Sequence, residues 1–293
     1  MIPWVVVVLA VAGLLGAAAE APHAGPRKSV RAPGLILYWT DSPRPSIWSV
    51  RPDGTHRHLI LRTRQNAKRP RLAPDRTWVA FDGTPAPKPP LSDFDIQLVR
   101  LNGTGLRTIT RGSDWDIDAQ WSPDGSSLSF SRATPHPNDP HDFVVWVMRR
   151  NGRDVHPLVE GSSARWSPDG TELVFSAPTD TSDGDLFVIN VDGTDRRRLT
   201  TTPATEFPAA WSRDGSRILF TRSQRSNTSD VFVMNADGTN VRKLGRGFAA
   251  AWSPDGSKIL YTPLFGAPLW VMNADGSHKR RIASVRAFEP SWR

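Results

Sequence analysis

One ten-residue phrase recurs along the chain and constrains the fold more than any other feature. Residues Trp166–Phe175 read Trp-Ser-Pro-Asp-Gly-Thr-Glu-Leu-Val-Phe. Proline sets φ at the second position of a tight turn, aspartate hydrogen-bonds its own local backbone, and glycine accepts positive φ. The phrase therefore predicts a strand that ends at the tryptophan, a turn and a second strand. Further copies begin at Trp121, Trp211 and Trp252, a divergent copy begins at Leu72, and a fragment ends the chain at Ser291-Trp292-Arg293.

A second phrase lies downstream of each copy and predicts a hairpin. Asp-Gly or Asn-Gly between strand-forming residues is the strongest short-range hairpin signal. Each such pair marks one repeat, and six pairs predict six repeats. They are Asp53-Gly54, Asn102-Gly103, Asn151-Gly152, Asp192-Gly193, Asp237-Gly238 and Asp275-Gly276.

The spacing of the tryptophans indicates the architecture. From Trp121 to Trp292 they lie 45, 45, 41 and 40 residues apart. A period of this length with two turns per repeat is typical of a four-stranded propeller blade. The first unit, from Gly34 to Thr55, lacks its opening strand, and Phe288–Arg293 matches that strand. We therefore predict an all-β, six-bladed β-propeller of four-stranded antiparallel blades over residues 34–293, closed by the C-terminal strand beside Leu35–Trp39.

The N-terminal segment predicts export from the cytoplasm. Ile2–Ala19 is almost wholly apolar, and Ala17–Ala19 offers a small-residue cleavage site, so residues 1–19 are predicted to be a signal peptide. An uncleaved membrane anchor is the alternative, because the run is near the shortest length that spans a bilayer. Residues 20–33 are predicted to be a flexible tether. Contact with a membrane is expected only through this N-terminal segment.

Basic residues exceed acidic ones by a formal net charge of +8, and cysteine is absent. This balance favours acidic partners, and the missing cysteine excludes disulfides and thiolate chemistry. One basic cluster, Arg62–Arg71, is predicted to lie in a rim loop between the first two blades. Within it we select Arg64, Lys68 and Arg69 as candidate contacts to an anionic partner. No nucleic-acid partner is predicted, because no recognised binding module is present.

Other cations have a simpler interpretation. Arg196–Arg198 and Lys279–Arg281 fall on predicted outer strands. Cations on a sheet edge commonly oppose edge-to-edge aggregation, and this interpretation is favoured for both triplets.

An acidic stretch precedes Trp121 and is a second candidate site. Asp114, Asp116 and Asp118 alternate around Trp115. In an extended strand the three carboxylates share a face and could bind a cation or a basic peptide. The alternative is a solvated acidic loop, which is favoured because no glycine-containing calcium-loop spacing accompanies them.

Two histidines in the insertion Thr134–Asp142 are weak candidates for metal binding. Imidazole and carboxylate groups suit zinc or manganese, which brings His136 and His141 into consideration. Their spacing matches no recognised ligand motif, so an exposed polar loop is the favoured interpretation. No cofactor is predicted.

The turn phrase, the strand after it and the Asn-x-Asp-Gly hairpin together resemble the PD40, or TolB-like, β-propeller repeat, a WD40-like repeat. The resemblance extends from about residue 34 to the C terminus. It implies a six-bladed propeller, often in the cell envelope, where TolB binds partners including a peptidoglycan-associated lipoprotein. TolB carries an α/β domain ahead of its propeller, and residues 20–33 do not resemble one. The resemblance therefore implies the fold without implying membership of a Tol system.

Two classes of function are open at this point. The first is a non-catalytic extracytoplasmic propeller that presents rim loops and a central channel to a protein or an anionic envelope polymer. The second is a propeller enzyme, a lyase or hydrolase acting on a sugar or lactone with a divalent metal. The first is favoured, because the sequence contains no Gly-x-Ser-x-Gly nucleophile elbow, phosphate loop or dense histidine cluster. A likeness to the propellers of prolyl-oligopeptidase-like enzymes does not alter this preference.

Overall fold

The computed structural model describes residues 34–41, 44–64, 66–84, 94–133, 143–180, 182–224, 228–284 and 286–293. These residues form six four-stranded antiparallel sheets, which confirms the predicted six-bladed propeller. The predicted signal or anchor segment, the tether, and His136 and His141 lie outside the described residues. For those parts of the chain the sequence-based expectations stay predictions.

Each blade is named by its order along the chain, and its strands are given from the channel outward. Blade 1 consists of β24 (Phe288–Trp292), β1 (Ile36–Thr40), β2 (Ser46–Val50) and β3 (His58–Arg62). Blade 2 consists of β4 (Ala67–Leu72), β5 (Trp78–Gly83), β6 (Asp95–Arg100) and β7 (Arg107–Thr108). Blade 3 consists of β8 (Trp115–Trp121), β9 (Ser127–Ala133), β10 (Phe143–Arg149) and β11 (His156–Glu160).

The remaining three blades follow the same order. Blade 4 consists of β12 (Ser162–Trp166), β13 (Glu172–Thr179), β14 (Ser182–Asn190) and β15 (Arg197–Arg198). Blade 5 consists of β16 (Thr205–Trp211), β17 (Arg217–Gln224), β18 (Thr228–Asn235) and β19 (Arg242–Arg246). Blade 6 consists of β20 (Phe248–Trp252), β21 (Lys258–Thr262), β22 (Leu269–Asn273) and β23 (Arg280–Ala283).

The ring closes inside blade 1, as predicted. β24 pairs antiparallel with β1, with Trp292 opposite Ile36 and Phe288 opposite Trp39. The backbone N–H of Arg293 donates to the carbonyl oxygen of Leu35 at 2.9 Å. The last strand of the chain thus covers the edge that β1 would otherwise expose.

The core lies between neighbouring blades because the second strand of each blade is covered on both faces. Leu173, Val174 and Phe175 of β13 are all fully buried, as the run of large apolar residues predicts. Val174 belongs to a cluster with Phe220 of blade 5, whereas Leu173 packs within a cluster that includes Val145 of blade 3. Each blade therefore contributes side chains to two interfaces.

Tryptophans at the ends of the inner strands link one blade to the next. Trp121 Nε1 donates to the carbonyl oxygen of Arg71 at 3.0 Å, and Trp211 Nε1 donates to that of Arg165 at 3.1 Å. Trp166 makes the equivalent bond to Gln120 at 3.2 Å. Trp252 lies at the same position, but its Nε1 is buried with no hydrogen-bond partner in the described structure. Three of these tryptophans therefore add a hydrogen bond between blades to their packing.

The Asp-Gly hairpins fix the outer contacts between blades. Gly54 has φ near 85°, and a Cβ there would lie 2.0 Å from the carbonyl oxygen of Ile282 in blade 6. Gly103 has the same φ and would place a Cβ 2.5 Å from the carbonyl oxygen of Ile60 in blade 1. At these turns only glycine meets both demands, the left-handed backbone and the close approach. The sequence pairs Asp53-Gly54 and Asn102-Gly103 are hairpin turns, as predicted.

Removing residues 286–293 should lower the melting temperature by more than about 10 °C. The truncation loses several kcal/mol of stabilisation from apolar burial, and each kcal/mol shifts the melting temperature by roughly 2–4 °C. Differential scanning calorimetry of the truncated and full-length propellers measures this change. A melting temperature within about 2 °C of the full-length value would contradict the closure by β24.

Trp211→Phe should destabilise the propeller more than Trp252→Phe, by about 1 kcal/mol, since only the first change removes a hydrogen bond. The two sites are well matched, because Trp211 and Trp252 are 9% and 6% exposed. Urea unfolding of both variants measures the difference. Equal losses would show that the indole N–H groups contribute nothing beyond packing.

Candidate binding site at the central channel

The six inner strands β4, β8, β12, β16, β20 and β24 contact one another in a closed ring and enclose the central channel. Their register against the second strands is interrupted by a bulge. At this bulge Arg69, Asp118, Ser163 and Glu289 have φ of 49°, 56°, 59° and 42°. Each lies three residues before the last residue of its strand. Bulges redirect side chains, and here they place charged groups where neighbouring inner strands meet.

Arginines and carboxylates from these bulges form a network along the channel. Arg69 donates to Asp82 (Nη1 to Oδ2, 2.7 Å) and to Glu289 (Nε to Oε1, 3.0 Å). Arg165 donates to Asp118 (Nη1 to Oδ2, 2.9 Å). The first group joins blades 1 and 2, and the second joins blades 3 and 4. Each carboxylate is thus held by a guanidinium group.

Two further contacts connect these groups into one channel network. Arg71 Nη2 lies 3.6 Å from Asp118 Oδ1, and Arg71 Nη1 donates to the carbonyl oxygen of Glu289 at 3.2 Å. Arg165 Nε donates to the carbonyl oxygen of Ala209 in blade 5 at 3.1 Å. The channel network therefore contains three guanidinium groups and three carboxylates and spans blades 1 to 5. It ties five blades together around the axis.

Burial and ion pairing move the two buried aspartates in opposite directions. Burial raises the pKa of Asp82 to about 6, and Arg69 offsets only part of that rise. Burial also acts on Asp118, but the guanidinium groups of Arg165 and Arg71 lower its pKa to about 2. Asp118 therefore stays ionised down to strongly acidic pH.

The opposite side of the channel is small and apolar. One residue before the end of their inner strands, blades 5 and 6 carry Ala210 and Ala251, where blades 2 and 4 carry Arg71 and Arg165. Pro208 occupies the bulge of blade 5. The channel is therefore polar along blades 1 to 4 and apolar along blades 5 and 6.

One end of the propeller carries the Pro-Asp-Gly turns and the Asp-Gly hairpins, and we call it the hairpin face. The other end, the loop face, carries the connections that follow the second and fourth strands of each blade. Their described parts include residues 44–45, 63–64, 109–114, 199–204, 263–268 and 286–287. Function is commonly found on such loops, because a rigid scaffold positions them.

Aromatic side chains line the channel mouth on the loop face. Phe265 contacts Phe248 and Phe288, with ring centroids 6.2 and 5.0 Å apart, and Phe288 stacks on Trp39 at 4.5 Å. Farther round, Phe94 contacts Trp115 at 6.2 Å. These six residues extend over blades 6, 1, 2 and 3, and we call them the aromatic arc.

Lys68 joins the two halves of the aromatic arc. Its Nζ lies 5.6 Å from the ring centroid of Trp39 and 5.1 Å from that of Phe94. Burial lowers the pKa of Lys68. An ammonium group between two rings is a favourable cation–π arrangement, so the arc combines apolar surface with positive charge.

Part of this mouth is open to solvent. Phe265 is 60% exposed, Leu264 beside it is 58% exposed, and Phe207 on β16 is 41% exposed. Leu264 and Phe265 are neighbours in the chain, and adjacent exposed apolar groups of this size usually mark an interaction surface. The same face carries six exposed arginines, namely Arg44, Arg62, Arg64, Arg111, Arg246 and Arg286. The exposed acids of the described loop face are fewer, namely Asp41, Glu160 and Asp180.

The basic cluster predicted in a rim loop is divided in the structure. Arg64 lies in the connection between blades 1 and 2, as expected, but Lys68, Arg69 and Arg71 lie on the inner strand β4. The charges and Pro70 suggested a loop. An inner strand can carry this sequence because its side chains face the channel, where Arg69 and Arg71 meet carboxylates.

The acidic stretch is also divided. Asp116 is buried and accepts two hydrogen bonds from Arg132, at 2.7 and 2.8 Å, and Asp114 lies 3.8 Å from the same guanidinium group. Asp118 belongs to the channel network, since the bulge breaks the alternation on which a shared face depends. Trp115 belongs to the aromatic arc.

Sequence reasoning missed Glu289, Asp82, Arg165 and most of the aromatic arc. For Glu289 and Arg165 a signal was available, because Glu289 lies three positions before Trp292, as Asp118 does before Trp121, and Arg165 lies one position before Trp166. Among the described residues, no three His, Asp or Glu side chains converge as a metal site would require. In the same part of the chain, no helix is long and apolar enough to cross a membrane.

The fold and this channel define a closed six-bladed β-propeller. Residues 149–266 match the family model PD40, the TolB beta propeller domain. This part of the chain is therefore similar to the TolB-type PD40 propeller repeat. A search by sequence against curated proteins gives no match.

Solved structures share the fold at low sequence identity. TolB from Acinetobacter baumannii superposes with a TM-score of 0.75 at 20% identity, over 88% of this chain and 66% of that one. The chain therefore spans just under two thirds of that TolB. A candidate TolB of Agrobacterium tumefaciens gives 0.67 at 17% identity, over 87% and 89% of the two chains. A chain of a Nidogen/Laminin complex gives 0.68 at 14% identity, over 88% and 97%.

Asp118→Asn should cost about 3–5 kcal/mol of unfolding free energy at pH 7, because it leaves Arg71 and Arg165 buried without their shared carboxylate. A lowered pKa stabilises the folded state above the unfolded pKa near 4, and this contribution disappears as pH falls toward about 2. The difference in unfolding free energy between wild type and Asp118→Asn should therefore become smaller from pH 4 to pH 2.

Urea unfolding at several pH values measures this difference. Asp114→Asn is the matched control, because Asp114 lies on the same segment and touches its arginine only at 3.8 Å. Its cost should stay below about 1 kcal/mol. Equal costs for the two variants would remove Asp118 from any special role in the channel network.

Proposed function

We propose that this protein is a non-catalytic, extracytoplasmic propeller that binds a protein or an anionic envelope polymer across the loop-face mouth of its channel. The aromatic arc is the observation that carries the proposal. Its rings extend over four blades, and its exposed member Phe265, with the exposed Leu264 beside it, offers apolar area that a partner can cover. The exposed arginines of the loop face favour an anionic partner.

The contact residues follow from exposure. Arg64 and Phe265 are exposed, Lys68 and Trp115 are half-buried at the mouth, and these four groups meet the partner. Arg69, Asp116 and Asp118 do not contact the partner, because their charged groups are already engaged in ion pairs. They hold the strands that carry the contact residues. Asp114 lies between these sets, at the edge of the mouth.

The state of the carboxylates supports binding over catalysis. A propeller lyase or hydrolase would need acids that are free to hold a metal or transfer a proton. In the channel, Asp82, Asp118 and Glu289 instead accept hydrogen bonds from arginines. The apolar N-terminal segment and the likeness to TolB support a location outside the cytoplasm.

Phe265→Ala combined with Lys68→Ser should weaken capture of envelope material at least about 10-fold, because apolar burial and a cation–π contact are lost together. The mature propeller is immobilised and incubated with solubilised envelope protein and, separately, with isolated wall polymer. The two incubations distinguish the two kinds of partner.

Leu106→Ala combined with Val241→Ala is the matched control. Both residues are exposed on the hairpin face, so this variant should capture as much as wild type. Equal capture by both double variants would contradict binding at the loop-face mouth. Metal analysis of the same sample tests the enzyme alternative, which a stoichiometric divalent ion would favour.

A further inference from the structure

We propose that the cleft between blades 6 and 1, on the hairpin side of the propeller, binds a phosphate group. The cleft has a volume of about 430 Å³. Blade 1 lines it with Tyr38, Val50, Gly54 and Arg57, and blade 6 lines it with residues 281–284. It is separate from the channel, because it lies against outer strands and a hairpin turn.

Two of the donors in this cleft, Arg57 and Tyr38, are already oriented. Arg57 Nε donates to the hydroxyl oxygen of Tyr38 at 2.7 Å, and the guanidinium group lies 4.0 Å from the ring centroid of Trp48. A phenol can accept one hydrogen bond and donate another, so the Tyr38 proton is available to a ligand. Burial raises the pKa of Tyr38, so its hydroxyl stays protonated at neutral pH.

The ladder registers show which residues are equivalent at the other seams. In blade 6, Arg281 of the fourth strand lies opposite Trp270 of the third strand. The equivalent pairs in blades 1, 3, 4 and 5 are Leu59 with Trp48, Pro157 with Trp146, Arg198 with Phe187, and Lys243 with Phe232. Each of these outer-strand residues comes five positions after a turn glycine. Arg57 comes three positions after its own turn glycine, and the position recurs in every blade.

The seam between blades 6 and 1 combines two arginines at these positions. At every other seam the first blade supplies the residue equivalent to Arg281, and the next blade supplies the residue equivalent to Arg57. From the seam between blades 1 and 2 onward, these pairs are Leu59 with Leu106, Thr108 with Val155, Pro157 with Arg196, Arg198 with Val241, and Lys243 with Lys279. Arg198 is paired with Asp185, and Lys243 is paired with Asp230. Among the described ion pairs, neither Arg57 nor Arg281 has a carboxylate partner.

The chemistry of these donors fits phosphate. A phosphate group presents several strong acceptor oxygens in different directions, and a guanidinium group can bind two of them at once. Arg57 and Arg281 approach from opposite walls, and the Tyr38 hydroxyl adds a third direction. A free phosphate and a phospholipid headgroup share this chemistry, so the experiment has to distinguish these two sources.

Titration with inorganic phosphate at constant ionic strength, followed by calorimetry, tests the site directly. Wild type should show saturable binding, and Arg281→Gln should weaken it about 10-fold through loss of a charge-assisted contact. Tyr38→Phe should weaken it about 3-fold, the smaller effect of one neutral donor. This variant should fold, because blades 2 to 5 carry Phe81, Phe130, Phe175 and Phe220 at the equivalent position.

Arg196→Gln is the matched control. Arg196 is the equivalent of Arg57 and lies 4.5 Å from the ring centroid of Phe187, but it faces Pro157 across its seam. The Arg196→Gln variant should bind phosphate with the same affinity as wild type. Equal affinity in Arg281→Gln and wild type, an equal loss in Arg196→Gln, or no saturable binding of any kind would overturn the proposal.

A second arm uses vesicles of phosphatidylcholine with and without phosphatidylglycerol. Cosedimentation that needs phosphatidylglycerol and is lost in Arg281→Gln would assign the site to a lipid headgroup. Saturable phosphate binding without cosedimentation would assign it to a free phosphate or phosphate ester. Vesicle binding that is unchanged in Arg281→Gln, with no phosphate binding, would contradict the site.

Discussion

Everything in this structure depends on how each sheet is covered by its neighbours. A single blade cannot bury both faces of its second strand. Both faces become buried only when the blade lies between two neighbouring blades. The six interfaces are therefore interdependent, and the ring is stable only when it is closed. The tryptophan bonds, the hairpin glycines and the channel network all act at these interfaces. Closure by β24 is the condition that makes the last interface possible.

The channel shows how a propeller of this kind tolerates charge near its axis. Inner strands of blades 2, 3 and 4 carry arginines and aspartates at positions that a sheet interior would normally exclude. The bulges let those side chains meet across blades, so that each charge finds a partner. Blades 5 and 6 use alanine and proline in the same places. Along blades 1 to 4 the charges on the channel wall are paired, whereas along blades 5 and 6 the wall carries small apolar residues that need no partner.

The fold followed from the sequence because its signals are local and repeated. A tight turn, a hairpin and a fixed period are each encoded within a few residues, and the missing first strand was matched by Phe288–Arg293. The candidate site was predicted only in part. Lys68 and Asp118 were selected for their charge, but their partners come from other blades, and no local pattern encodes that pairing. The cluster around Arg69 was assigned to a loop because a charged strand with a proline resembles one.

The aromatic arc escaped prediction for the same reason. Phe94, Phe248, Phe265 and Phe288 are scattered over nearly the whole chain and meet only when the ring forms. Each one alone is an ordinary apolar residue at the end of a strand or, for Phe265, in a loop. Their significance is visible only in the assembled mouth, where Lys68 lies between Trp39 and Phe94.

The contact between the two ends of the chain has a consequence for how the protein folds. Trp39 Nε1 donates to Glu289 Oε2 across 250 residues of sequence, whereas most strand pairs join neighbours in the chain. Contacts this distant carry a large loop-closure entropy and form slowly. The hairpins of the middle blades can assemble as soon as they are synthesised, but blade 1 is complete only after β24 has been synthesised. Until then β1 remains an open edge, and during biosynthesis this edge is the part of the molecule most exposed to wrong partners.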